Sequence, residues 1–185
     1  MIISLATHKA EVAKLTALAD AQLHITDSIK QCVATIQFTP NGDILETNAL
    51  FRQAMGYSEA DLQGKHHSMF CVGNYANTPE YAALWQQLRD GRSKTGTFDR
   101  RKANGETIWL EATYIPVKDA NNRVTSVLKI AFDVTAKIME TSALKAVSKA
   151  LDTSMAVIEF EPDGTIITAN TNFTNTVGYS LEQIR

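Results

Sequence analysis

Residues Ala34–Leu62, ATIQFTPNGDILETNALFRQAMGYSEADL, recur in altered form as Ala156–Ile184, AVIEFEPDGTIITANTNFTNTVGYSLEQI. The offset is 122 positions throughout, with no gap. Identities fall at Ile36/Ile158, Phe38/Phe160, Pro40/Pro162, Gly42/Gly164, Asn48/Asn170 and Phe51/Phe173, and at Gly56-Tyr57-Ser58/Gly178-Tyr179-Ser180. A repeat at this spacing is a domain of about 110–120 residues plus a linker, too long for a solenoid unit. The second copy reaches Arg185 after its opening third. The expected organisation is an amphipathic helix over residues 1–28, a complete domain over 29–135, a linker helix over 136–151 and the start of a second domain over 152–185.

Working outward from the repeat, Cys32–Thr39 alternates as a strand, Pro40-Asn41-Gly42-Asp43 is a turn, and Ile44–Thr47 resumes a strand. Asn48 can cap a short helix through Met55, which Gly56 stops in a left-handed conformation. Ser58 and Asp61 form an acidic variant of the capping box over a second short helix. Thr78-Pro79-Glu80 starts a longer helix running to Arg89, with Tyr81, Leu84, Trp85 and Leu88 on one face. Three strands follow over Thr95–Lys102, Thr107–Val117 and Arg123–Val134, separated by Asn104-Gly105 and Asp119–Asn122 turns. Two groups of antiparallel strands separated by helices predict an α+β fold, a five-stranded sheet with short helices on one face. Ala6–Ser28 and Ala136–Leu151 lack Gly and Pro and read as flanking helices.

Composition excludes several classes. A net charge of −2, with 44% hydrophobic and 21% charged residues, gives no general electrostatic case for nucleic acid. Arg100-Arg101-Lys102, the one basic cluster, reads as a solvated strand face. No run of about 18 apolar residues is present, and the N-terminus has no basic region of a signal peptide. Cys32 and Cys71 do not make a disulfide framework. The expectation is a reduced, cytoplasmic chain, with membrane association of the full-length protein left open. No Gly-rich phosphate loop or nucleophilic triad is present, so no enzyme activity is expected.

Together these elements resemble a PAS domain. The resemblance rests on Asn48, Phe51 and Gly56-Tyr57-Ser58, on Gly64-Lys65, on RKANGETIWLEATYIPV at Arg101–Val117, and on Asp133-Val134-Thr135 closing the fold. GKHHSMFC with Thr78-Pro79-Glu80-Tyr81 and Trp85 is further similar to the tandem PAS sensors of bacterial methyl-accepting chemotaxis transducers of the aerotaxis and biofilm-dispersal kind. The resemblance implies a homodimer through the flanking helices. It also implies a chemotaxis adaptor and a histidine kinase as partners of a region outside this chain. Two other readings stay open: a ligand-free PAS module for dimerisation and relay, and the input of a histidine kinase or cyclic-dinucleotide enzyme.

The expected pocket is lined by Phe70, Tyr81, Trp85, Phe98, Leu110, Ala112, Tyr114, Leu128, Ile130 and Phe132. Alternation places Ile108, Leu110, Ala112 and Tyr114 inward and Trp109 on the back of the sheet. A pocket with this signature is either occupied or simply packed. The resemblance admits FAD, haem b or no cofactor, with His66 and His67 as the candidate haem ligands; the remaining alternative is that both are structural. No metal site is expected, because adjacent histidines rarely face one ion. Asp133 and Thr135, between the last strand and the linker helix, are the expected signal relay.

Overall fold

A computed structural model describes residues 5–185, with side chains from residue 8. The expectation placed on residues 1–4 lies outside the described residues. Contacts divide the chain into two units, residues 1–135 and 136–185.

In the first unit, helix α1 (Leu5–Cys32) leads into β1 (Ala34–Phe38) and β2 (Ile44–Thr47). Helices α2 (Ala49–Met55), α3 (Glu59–Leu62) and α4 (Pro79–Arg89) follow, with 3-10 turns at His67–Phe70 and Tyr75–Asn77. Strands β3 (Lys94–Arg101), β4 (Thr107–Lys118) and β5 (Val124–Asp133) complete it. The strands form one antiparallel sheet in the order β2-β1-β5-β4-β3. The α+β fold is therefore as the sequence predicts.

The helix layer closes one face of that sheet. Phe51, Met55, Leu62, Phe70, Leu84, Trp85 and Leu88 meet Ile36, Phe38, Ile108, Leu110, Ala112, Tyr114, Val127 and Ala131 in a single core. Local capping sets the helix ends. The Asn48 carboxamide oxygen accepts from Phe51 N–H at the start of α2, and Gly56 ends it at φ 75°. Ser58 and Asp61 make the expected capping box, and Thr78 caps α4 ahead of Pro79.

Helix α1 continues four residues beyond the expected end at Ser28. Its last carbonyls explain this: Asn48 Nδ2 donates to Lys30 O and Val33 O, both at 2.6 Å, satisfying groups that helix ends otherwise leave orphaned. Lys30 also pairs with Glu46 at 2.6 Å.

Helix α5 (Thr135–Ser154) starts on the last residue of the first unit and runs into the second, where β6 (Ile158–Phe160), β7 (Ile166–Ala169), α6 (Thr171–Val177) and α7 (Leu181–Ile184) follow. The hairpin and the two short helices repeat β1, β2, α2 and α3, down to the left-handed Gly178 at φ 76°. None of the helices is long and apolar enough to cross a membrane, among the described residues.

Candidate functional site

The β1–β2 turn places the first residues of the site. Gly42 adopts φ 100°, a region that side chains with a Cβ rarely enter. A Cβ there would also lie 2.5 Å from His66 Nε2. The turn grips the segment beneath it: His67 N–H donates to Gly42 O at 2.8 Å, and Ile44 N–H donates to Lys65 O at 2.8 Å. His66 Nε2 lies 2.9 Å from Asn41 O, a carbonyl that only accepts, so this nitrogen carries the proton. Nδ1 is then the acceptor, serving Ser68 O–H at 2.9 Å and Ser68 N–H at 3.2 Å.

His67 is wholly buried, with its ring stacked on Tyr81 at 5.6 Å. Its Nδ1 lies 3.1 Å from Tyr81 Oη and its Nε2 3.0 Å from Tyr114 Oη. Burial first, then the charges of Lys129 and Arg100, hold its pKa well below the ordinary histidine value. The ring is therefore neutral near pH 7; one nitrogen donates and the other accepts. Its tautomer is tied to the protons of two tyrosines.

Tyr114 is the centre of this network. Arg100 Nη2 donates to its hydroxyl at 3.4 Å, and Lys129 Nζ sits 4.9 Å from its ring centroid. Burial pushes the Tyr114 phenol up, but Lys129 and Arg100 together outweigh it and leave the phenol below its usual value. Burial lowers Lys129, partly opposed by Tyr114. For Arg100, burial works against the charge, yet Tyr114 leaves the guanidinium held above its ordinary value. Burial raises the Tyr81 phenol and the Cys71 thiol. The buried polar side chains are Thr35, His67, Arg100, Ser126 and Lys129, so the described core holds two basic groups and no carboxylate.

Seven of the ten expected pocket residues pack together on this face: Phe70, Tyr81, Trp85, Phe98, Leu110, Ala112 and Tyr114. Three do not. Strand β5 turns Val127, Lys129 and Ala131 to the core, which puts Leu128, Ile130 and Phe132 on the opposite face, Phe132 at 54% exposure. Pairing sets that parity, because Lys129 stands opposite Ile36 on one side and Tyr114 on the other, both inward. The expected solvated face of Arg100 is also corrected: Arg100 pairs with inward Ile108 and is 1% exposed. Arg100 and Lys129 were missed because charge argues for solvent. Strand parity carried from Phe98 would have found the first.

At the edge of the unit, Asp133 and Thr135 do come together with β4. Asp133 Oδ1 accepts from Thr135 N–H at 2.9 Å. Thr135 Oγ1 accepts from Trp109 N–H at 2.9 Å, and Trp109 O accepts from Val134 N–H at 2.9 Å. The first residue of α5 is thus bonded to the start of β4.

Residues 31–136 match the PAS domain family. The chain belongs to it. This PAS chain is 36% identical over 157 residues to the biofilm dispersion protein BdlA of Pseudomonas aeruginosa, covering 85% of this chain and 38% of that protein. It is 30% identical over 76 residues to the aerotaxis receptor of Escherichia coli, covering 40% of this chain and 14% of the receptor. The chain thus spans well under half the length of either relative, and neither carries an enzyme's name. Among solved structures, a PAS domain from Colwellia psychrerythraea superposes with a TM-score of 0.55 at 18% identity, covering 64% of this chain and 98% of that one. An RNA-binding light-oxygen-voltage receptor gives 0.54 at 21%, covering 63% of this chain and 34% of that one. At those identities the likeness concerns the fold.

The residues as arranged do not fit haem or flavin. Both nitrogens of His66 and of His67 are engaged by protein groups, leaving neither ring a lone pair to offer an iron. A flavin ring would have to displace Phe38, Leu110, Ala112 and Tyr114, which are at most 2% exposed and packed on one another.

Proposed function

We propose that the chain is the sensory input segment of a bacterial signal transducer of the methyl-accepting chemotaxis kind. The carrying observation is the hydrogen-bonded connection from Trp109 through Asp133, Val134 and Thr135. Such a link lets two packings of the core bias the start of α5. The 157-residue match to the biofilm dispersion protein supports the same reading, since it takes in most of this chain. Signal enters as a small ligand, oxygen or a redox change sensed by this domain and leaves through α5. A chemotaxis adaptor and histidine kinase act on a region outside this chain.

The second reading, a relay scaffold that holds no ligand, is favoured by the closed core. In both readings the protein is a homodimer. Val12, Leu15, Leu18, Leu23, Ile25 and Ile29 of α1 are exposed, as are Leu144, Val147 and Leu151 of α5, and both sets are offered to a second copy.

The test is Thr135→Val in the full-length protein, with behavioural output and dimerisation both measured. Loss of stimulus response with dimerisation and folding intact supports a sensor. An unchanged response contradicts the relay.

A further inference from the structure

We propose that the PAS domain binds a small monocarboxylate, held by Arg100 at a hollow between α4 and β3. The proposal rests on the sensory reading above and gives its ligand a chemistry.

Three independent observations converge. The first is charge. Arg100 and Lys129 are 1% and 2% exposed, and no carboxylate is buried with them among the described residues. Asp99 Oδ1 lies 3.9 Å from Arg100 Nη1, too far to accept a good hydrogen bond, and at 47% exposure it is a solvent-screened partner for that charge. With the Tyr114 phenol protonated, Arg100 leaves at least one buried positive charge whatever the state of Lys129. Buried charges are ordinarily paired, and this surplus asks for one anion.

The second is an orphan donor. Arg100 spends Nη1 on Asp99 O at 2.6 Å and Nη2 on Tyr114 Oη at 3.4 Å, while its buried Nε–H has no partner. A buried guanidinium N–H without a partner suits a carboxylate oxygen.

The third is access. A hollow of about 260 Å³ opens between α4 and β3, its lining including Tyr75, Glu80, Leu84, Gln87, Lys94 and Phe98. The Arg100 guanidinium carbon is 5.0 Å from the Phe98 ring centroid and 5.7 Å from that of Tyr75. Tyr75 and Phe98 line the hollow and also lie against the Arg100 guanidinium, which does not itself line it, and Phe98 is only partly buried. A rotation of Phe98 would seat a carboxylate on Arg100, with its short apolar tail against Leu84. The volume lies at the lower bound of small-molecule sites, so the ligand is small. Glu80 disfavours a dianion.

The experiment is calorimetric titration of the whole chain with acetate, pyruvate, succinate and inorganic phosphate in separate runs at constant ionic strength. Hydrogen exchange at Trp109 and Val134 is read on the same samples. Saturable binding of a monocarboxylate, weakened at least roughly ten-fold in Arg100→Gln and retained in Arg101→Gln, is the expected result. If Arg100→Gln does not fold, Phe98→Ala takes its place and should change the titrated affinity at least several-fold; an unchanged affinity overturns the site. Binding of phosphate or succinate in preference overturns the monocarboxylate, and no saturable binding of any probe overturns the site. Binding that leaves exchange at Trp109 and Val134 unchanged keeps the site and sinks the relay. Absence of binding leaves the relay to stand on the Thr135→Val result.

Discussion

Asn48 and Asn170 make the same four hydrogen bonds, 122 residues apart. Each Oδ1 accepts two backbone N–H groups, from Thr35 and Phe51 or from Val157 and Phe173. Each Nδ2 donates to two carbonyls where the preceding helix ends, Lys30 and Val33 or Asp152 and Met155. One carboxamide therefore ties the incoming helix, the first strand and the next helix in both copies. Asn48→Asp keeps both acceptors and removes both donors. It should cost about 1–3 kcal/mol, with the loss concentrated at the end of α1, as denaturant melts and exchange of the amides near Val33 would reveal.

Gly42 and Gly164 occupy the same turn at φ 100° and 93°, but their surroundings differ. A Cβ on Gly42 meets His66 Nε2 at 2.5 Å, whereas one on Gly164 meets nothing within 4 Å. Gly164→Ala should cost only the backbone strain, about 1–2 kcal/mol, and Gly42→Ala clearly more, with disturbance of the His67 network. Equal costs in thermal melts would show that His66 does not lie under the turn.

His67 links pH to stability with a definite sign. Its folded pKa is depressed below 6.5, so on acidification the unfolded chain takes the proton first. The contribution is level above about pH 7. Below that, stability declines with a limiting slope of about 1.4 kcal/mol per pH unit until the folded pKa is reached. Urea titrations from pH 7.5 to 5 (about that window) on wild type and His67→Gln should differ by this slope. Parallel profiles would show that burial does not depress the His67 pKa.

The two faces of the sheet should respond unequally to truncation. Leu110→Ala removes a core side chain and should cost about 2–5 kcal/mol. Phe132→Ala removes a ring that is 54% exposed in one chain and should cost a small fraction of that in the monomer. A Phe132→Ala loss that grows with protein concentration would locate this face in the dimer.

Much of this was legible in the sequence because the signals were local. Asn48, Gly56, Ser58 and Thr78-Pro79 each satisfy a helix end within a few residues, and Asn104-Gly105 closes a hairpin. What local signals could not supply was the inward face of β5. Leu128, Ile130 and Phe132 are more apolar than Val127, Lys129 and Ala131, so hydrophobicity alone selects the wrong set. Only the pairing of Lys129 with Ile36 and Tyr114, strands distant in sequence, sets the parity. Arg100 was hidden for the same reason, inside a run of three basic residues.

Thr135→Val removes the hydroxyl that accepts Trp109 N–H and should leave that amide unpaired at a cost of about 1–3 kcal/mol. Its neighbour Val134 N–H, bonded to Trp109 O, should lose protection with it, as amide exchange by NMR would register.

The most direct test of core-to-helix coupling is residue-resolved hydrogen exchange on His67→Gln, a change made in the helix layer. The account predicts altered protection at Trp109 and Val134, carried along β4 from Tyr114, while the amide of Asn122 in the β4–β5 turn stays as it was. Unaltered protection at Trp109 and Val134, with changes confined to Tyr81 and Tyr114, would contradict it.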